Sequence, residues 1–370
     1  MSKKRNLIFF LPNFSKGGAA NSIVRLCEKL DINKNNIYII SVGKNSYKKR
    51  ISKFCKKIYE LNFKKTIFSF FLIKKIVTQL ISKNKKTIFI SNINYANVLT
   101  VIFLRNIKNL KIVLIERTSI NELQVYFSQK DFFKKKIIKL LMIFFYKKAD
   151  AIIANSKTVA KSLEKLINKK IFFIYPPSID EVNNYRKPNY NKKKCLRILT
   201  VGRLAVEKNL KTIILSLKYL NFSDFSLFIL GNGPEKSKLI NLLKVNKLHN
   251  KVKFFSHRDN LVKFYKNSDL FINSSYFEGF PNSVVEAINY NLPVICSRSG
   301  GGIQEILMNG RAGFFFKNND YLDLSKKINI FREKPKIFYN KLKLAIINIK
   351  KFTLTNNLIA YNKLFNSLYK

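Results

Sequence analysis

Eleven short β-branched or aromatic runs recur along the chain, with longer amphipathic stretches between them. That alternation limits the fold more than any other feature, because strands joined by helical crossovers pair in parallel. Six runs fall in the first half, at 7–11, 37–42, 87–90, 112–115, 151–154 and 171–174, and five in the second, at 198–201, 227–230, 252–255, 270–272 and 294–296. Between the sets lie Pro176-Pro177 and a polar stretch, 183–194, that contains Pro188 and reads as a linker. A single core stops growing near roughly 250 to 300 residues, so 370 residues imply two domains. The fold class is therefore α/β, two doubly wound parallel-sheet domains at 1–190 and 191–350; a C-terminal helix in 351–370 is expected to pack back toward the first.

The formal charge is +49, from 70 Lys and Arg against 21 Asp and Glu. Abundant Lys, Asn, Ile and Phe with no Trp is the composition of an A+T-rich coding sequence, which accounts for much of this charge. It does not account for its distribution: Ile32 to Ile115 holds 18 basic residues and one acid, Glu60. Such a field favours a polyanionic surface. The apolar run 140–146 is far short of the roughly 20 residues of a membrane span, and Leu7 to Leu11 is short for a signal-peptide core. Four separated cysteines and two histidines, His249 and His257, offer no zinc-knuckle spacing. A cytoplasmic protein without disulfides or structural zinc is expected.

Only 12 glycines occur, and nine of them cluster just past expected strands: Gly17, Gly18, Gly202, Gly231, Gly233, Gly279, Gly300, Gly301 and Gly302. Those are strand carboxyl ends, where doubly wound sheets bind ligands. Gly17-Gly18 precedes a helical pattern and lets backbone amides approach an anion. Gly202-Arg203 leads to Glu207-Lys208-Asn209, placing a guanidinium and an ammonium within reach of a diphosphate. The segment 278–286, EGFPNSVVE, sets Glu278 in a loop and Glu286 about one turn inside a helix that opens at Asn282 or Ser283. Both carboxylates then face one cleft. A further loop, Ser299 to Gly302, offers amides that close over a sugar or phosphate.

Taken in order, Gly202-Arg203, the step to Lys208, GNGP at 231–234, SHRDN at 256–260, EGFPNSVVE at 278–286 and PVICSRSGGGIQEIL at 293–307 resemble glycosyltransferase family 4. The resemblance spans nearly all of 196–316 and is looser in the first domain, at Gly17-Gly18, Glu116-Arg117-Thr118 and Asn155-Ser156. It implies the GT-B architecture, two facing Rossmann-like domains with a cleft between them, and a retaining hexosyltransferase that uses a nucleotide-sugar, with UDP favoured as the nucleotide. The details look most like bacterial enzymes that extend lipid-linked or lipopolysaccharide glycans, hence a lipid-linked or growing polysaccharide acceptor.

By that resemblance Arg203 and Lys208 hold the donor diphosphate, Glu278 bonds donor-sugar hydroxyls and Glu286 the ribose hydroxyls. Backbone amides near Phe280, Asn282 and Ser283 join the phosphate cradle, Gly17 and Gly18 meet the donor from the first domain, and His257 and Arg258 border the base. Many relatives carry a histidine near the acceptor, whereas no histidine precedes His249 here and Glu116 or Arg117 takes the comparable position. The acceptor proton then passes to the departing phosphate, with Glu116 as a helper. No Asp-any-Asp triplet occurs, so transfer without a metal or other cofactor is expected.

The competing reading is a basic nucleic-acid-binding protein, since +49 attracts any polyphosphate. No RNA-recognition signature, zinc finger or basic heptad region accompanies the charge, and no specific nucleic-acid partner is expected. An anionic membrane surface is: 132–148, FFKKKIIKLLMIFFYKK, has an apolar middle and includes Lys134, Lys135 and Lys136, and 64–75 repeats the arrangement more weakly. The expected location is peripheral, on the inner face of the cell membrane.

Overall fold

The computed structural model describes residues 4–15, 17–83, 86–186, 188, 190–191, 194–256 and 261–369. Along strand β1 (Arg5–Phe10) successive side chains alternate between faces, so Ile8 and Phe10 enter one core while Leu7 and Phe9 enter another. The same division runs through β2 (Asn35–Ser41), β4 (Thr87–Asn92), β5 (Leu110–Glu116) and β6 (Ala151–Ala154). Burial on both faces is why these strands read as unbroken apolar runs. With β3 (Lys57–Glu60) and β7 (Phe172–Phe173) they make a parallel sheet of order β3-β2-β1-β4-β5-β6-β7. Helices α1 (Gly18–Lys29) and α2 (Lys48–Ile51) follow β1 and β2. The core on the Ile8 face is closed by α3 (Thr66–Lys83), α4 (Asn94–Leu104), α5 (Gln129–Phe145) and α6 (Lys157–Ile167), through Phe70, Val101, Met142 and Leu163 among others. Ser128 and Ser156 cap α5 and α6 by accepting from Asp131 and Val159 amides.

The second sheet is also parallel, in the order β10-β9-β8-β11-β12-β13. Its strands are β8 (Leu196–Val201), β9 (Phe225–Leu230), β10 (Val252–Phe255), β11 (Leu270–Asn273), β12 (Val294–Ser297) and β13 (Phe314–Phe316). Around it lie α7 (Leu210–Ser216), α8 (Lys236–Val245), α9 (Leu261–Lys266), α10 (Asn282–Asn289), α11 (Ile303–Ile306), α12 (Tyr321–Glu333) and α13 (Pro335–Ile349). The last helix, α14 (Leu354–Ser367), returns to the first sheet: Tyr361, Leu364 and Phe365 join Leu7, Phe9 and the α1 residues Ile23, Val24 and Cys27 in one core. Arg5 donates to Asn366 at 2.8 Å and lies over the Phe365 ring, fastening that helix to β1.

Two features differ from the sequence reading. Strands β3 and β13 were not expected, because both are short edge elements, one with charged ends and half-exposed, the other three phenylalanines long. The chain also divides earlier than 190: one unit comprises Met1–Pro177 with Leu354–Lys370, the other Ser178–Thr353. The polar stretch after Pro177 is stitched into the second unit by its own amides. Ile179 bridges Thr353, the Ser178 hydroxyl donates to Asn282 at 2.8 Å, and Asn183 bonds Asn289 through its backbone amide and its side chain.

Candidate active site

At the carboxyl ends of β8, β9 and β11 the glycines bring loop backbones closer than any side chain would permit. A Cβ on Gly231 would lie 1.8 Å from the Gly202 carbonyl, and one on Gly301 would lie 1.9 Å from the Glu278 carbonyl. Both residues also have positive φ, +151° and +64°, so backbone conformation and space each require glycine. The Gly302 amide then donates to the Gly279 carbonyl at 2.7 Å. The glycines therefore hold the 231–233 loop against 202–204 and the 300–302 loop against 278–280, and the Lys208–Glu278 contact joins the two pairs into one floor.

On this floor Lys208 and Glu278 form an ion pair, with their side chains 26% and 10% exposed. The Glu278 carboxylate is held through one oxygen: Oε1 accepts from Lys208, from the Ser275 hydroxyl at 2.7 Å and, more weakly, from the Asn273 amide at 3.5 Å. Among the described residues Oε2 has no partner and stays available as an acceptor. Among the described residues the Lys208 side chain likewise donates only to Glu278, and an ammonium carries three N–H groups, leaving two for a ligand. The backbone under the pair is fixed as well, since Ser274 donates to the Lys208 carbonyl at 2.8 Å and the Tyr276 amide to the Glu207 carbonyl at 2.9 Å. Asn209 adopts the left-handed conformation, φ 47°, that Asn tolerates, and so turns the chain from this loop into α7. Two buried acceptors nearby, Asn273 Oδ1 and Ser299 Oγ, lack a partner among the described residues, the usual mark of a place where water or ligand completes the bonding.

The remaining residues singled out in the second half are placed as follows. Arg203 is exposed and ion-paired with Glu207 rather than with the buried carboxylate. Glu286 lies inside α10, where its Oε2 accepts from the Tyr265 hydroxyl at 3.0 Å. Asn282 and Ser283 open that helix behind Pro281, with Asn282 accepting from Ser178. Phe280 is buried against Phe352, ring centres 5.0 Å apart, so its side chain serves packing. His257 and Arg258 lie outside the described residues. Sequence reasoning missed Ser275, Asn273 and Tyr265, the groups that orient the two carboxylates. Ser275 stands three residues before Glu278 at a strand end and was findable; Tyr265 is 21 positions from Glu286, with no local signal.

In the first unit Gly17 caps α1 with extended backbone, and a Cβ there would meet only the Ser15 carbonyl at 3.9 Å. Sterics alone do not require glycine at that position. Gly18 begins the helix, accepting from Ser22 at 2.8 Å. Glu116, expected to help in proton transfer, is 1% exposed with both oxygens engaged. Oε1 accepts from the Arg117 and Thr118 amides and the Thr118 hydroxyl, and Oε2 from the Tyr146 hydroxyl at 2.8 Å. Burial pushes this carboxyl up from its ordinary range, against the pull of the Thr118 and Tyr146 hydrogen bonds. So placed, Glu116 is held beneath the loop after β5, with each carboxylate oxygen hydrogen-bonded inside the first unit. Arg117 beside it donates through Nε to Asn92 at 2.8 Å, and burial lowers its pKa.

Both halves of the chain match known protein families. Residues 16–179 match the model of Glycosyltransferase Family 4, and residues 181–350 that of Glycosyl transferases group 1. An uncharacterised glycosyltransferase of Methanocaldococcus jannaschii is 32% identical over 62% of this chain and 60% of its own length. The N-acetylgalactosamine-N,N'-diacetylbacillosaminyl-diphospho-undecaprenol 4-alpha-N-acetylgalactosaminyltransferase of Campylobacter jejuni is 27% identical over 63% of this chain and 65% of its own. These matches span less than two thirds of either relative. Among solved structures, Anabaena HepE in complex with UDP and glucose superposes with a TM-score of 0.78 at 17% identity, covering 98% of this chain and all of that one. Sucrose-phosphate synthase of Thermosynechococcus elongatus gives 0.83 at 14% identity, covering 99% of both chains. At such identities the likeness speaks for the fold, two parallel-sheet Rossmann-like domains of the GT-B type.

Proposed function

The chain belongs to the family 4 and group 1 glycosyltransferases, and from that premise we propose that it moves a sugar from a nucleotide-sugar donor to a lipid-linked or growing glycan acceptor with retention of anomeric configuration. The observation that carries the reading is the Lys208–Glu278 pair, one carboxylate oxygen anchored and the other presented. The free oxygen suits a sugar hydroxyl, and the ammonium, fixed beforehand, suits the negative charge that grows on the departing diphosphate. Arg203, exposed at the rim, adds a second cation once a phosphate competes with Glu207. Glu286, oriented by Tyr265, receives the ribose hydroxyls. Amides at the start of α10 and in the 300–302 loop complete the phosphate cradle.

UDP is the favoured nucleotide, in keeping with the ligand of the Anabaena structure. A lipid-diphosphate acceptor accords with two Campylobacter relatives named for diphospho-undecaprenol substrates. With Glu116 engaged in the fold, the acceptor hydroxyl gives its proton to the departing phosphate directly. No metal takes part in this scheme, since ammonium and guanidinium supply the positive charge. The reaction would sit at the cytoplasmic face of the membrane, in polysaccharide or lipopolysaccharide assembly. Incubating the protein with a panel of nucleotide-sugars and polyprenyl-diphosphate sugar acceptors tests the proposal. Acceptor-dependent release of nucleoside diphosphate, with a new α-linked product from an α-configured donor, is expected; no release from any pair, or an inverted product, would overturn it.

A further inference from the structure

Helices α3, α4 and α5 of the first unit carry apolar side chains on their outer side as well as toward the core. On α5, Phe133, Ile137, Leu140 and Phe144 are 64%, 57%, 55% and 59% exposed, at steps of three or four residues that put them on one face. On α3, Ile67, Phe68, Phe71 and Leu72 are exposed, Phe71 to 69%. The two stripes are joined across α4: the Phe71 ring meets Phe103 edge-on at 5.6 Å, and Tyr95 shares a shallow groove with Ile137 and Ile138. Single exposed hydrophobic residues are ordinary on a soluble surface, whereas helix-length stripes on neighbouring helices mark an interaction face.

Charge selects the occupant. Lys64, Lys65, Lys74, Lys75, Lys134 and Lys136 are all exposed around these stripes. A second copy of the chain would set this basic collar against itself, and a basic protein partner would be repelled likewise. We propose that the outer face of α3, α4 and α5 docks on an anionic phospholipid surface, the apolar stripes entering the boundary of the acyl chains and the lysines meeting headgroups. The purpose rests on the proposed lipid-linked acceptor, but the binding itself does not. One lysine must be excluded: Lys135, grouped with its neighbours in the sequence reading, is 9% exposed, pairs with Asp131 at 2.8 Å and donates to the Val125 carbonyl at 2.7 Å. It holds the helix to the preceding loop and cannot reach a headgroup.

The test is co-sedimentation of the full chain with vesicles of phosphatidylcholine alone or with about 30% phosphatidylglycerol, without substrates, so that it stands whether or not transfer is observed. Binding should require the anionic lipid and weaken with salt. The double variant Ile137→Gln/Leu140→Gln should lower the partition coefficient by at least about tenfold, because burying each side chain contributes apolar transfer free energy. Lys134→Gln/Lys136→Gln should lower it by roughly fivefold for each charge removed. Ile347→Gln, which alters a side chain 63% exposed on α13, should bind as wild type does. Absence of binding to anionic vesicles, equal binding to neutral ones, or unchanged binding of both double variants would overturn the proposal. So would a concentration-dependent dimer that Ile137→Gln/Leu140→Gln converts to monomer, since the face would then belong to a second copy.

Discussion

The two units share one doubly wound plan and use their polar residues in opposite ways. In the first, Glu116 is walled in at the end of β5 with every oxygen satisfied, and the surface beyond the core carries the apolar stripes. In the second, Glu278 at the end of the equivalent sheet is anchored by one oxygen, and its lysine partner keeps two N–H groups in reserve. A buried carboxylate whose bonds are all internal supports a fold; one whose bonds are half internal can bind. On the proposed reading, the difference puts chemistry in the second unit and support and docking in the first.

The largest expected effect follows from the reserved groups. Lys208→Met should lower turnover by about 10²-fold or more, and because it leaves Glu278 buried without its cation it should also destabilise the second unit, by roughly 3–5 kcal/mol. Adding Glu278→Gln should restore much of that stability, measured by denaturant titration, and none of the turnover. Recovery of turnover in the double variant would mean that the pair is only structural. Next in size is Gly301→Ala, whose Cβ would collide with the Glu278 carbonyl; at least about a tenfold loss of turnover is expected from displacing the Glu278 loop, because an error of about 1 Å in a positioned group is costly.

Smaller effects are expected in the first unit, and on stability. Tyr146→Phe removes the hydroxyl that donates to Glu116 and accepts from Asn97 at 3.2 Å, and should cost about 1–3 kcal/mol, with transfer per folded molecule within a few-fold of wild type. A fall in turnover as steep as that of Lys208→Met would erase the contrast between the units. Glu116→Gln sharpens it through pH. A carboxyl with a raised folded pKa contributes stability that is full below its unfolded value, about 4.3, and lost as pH rises through the raised one. Wild-type Tm should therefore decline relative to the non-titrating variant as pH climbs above the ordinary carboxylate range. A constant difference would show that the carboxyl keeps its ordinary pKa. Least of all, EDTA should leave transfer unchanged; loss of activity restored by Mn²⁺ would show that a metal shares the work assigned to Lys208.

How far the sequence could be read follows from the same contrast. Strands buried on both faces announce themselves as apolar runs, and the α10 motif reveals Glu278 and Glu286 because turn, helix start and carboxylates fall within nine residues. Both Gly231 and Gly301 were recognisable as clustered, but their cause, the approach of loops some 30 and 20 residues away, exists only in three dimensions. For Glu116 the sequence does not show its surroundings. Its position after a strand resembles that of Glu278, and what distinguishes them is Tyr146, 30 positions on, which closes the second oxygen. The sequence pointed to 132–148 as a surface segment, but an apolar, lysine-bracketed run does not say which side faces the core, or that Lys135 turns inward.

The central claim, that sugar transfer depends on the presented oxygen of Glu278 and not on the enclosed Glu116, is tested most directly by single-turnover transfer from a nucleotide-sugar with Glu278→Gln and Glu116→Gln side by side, each normalised to folded protein. The account predicts a rate at least about 10²-fold below wild type for the first and within a few-fold of wild type for the second. The reverse order, or equal losses in both, would contradict it.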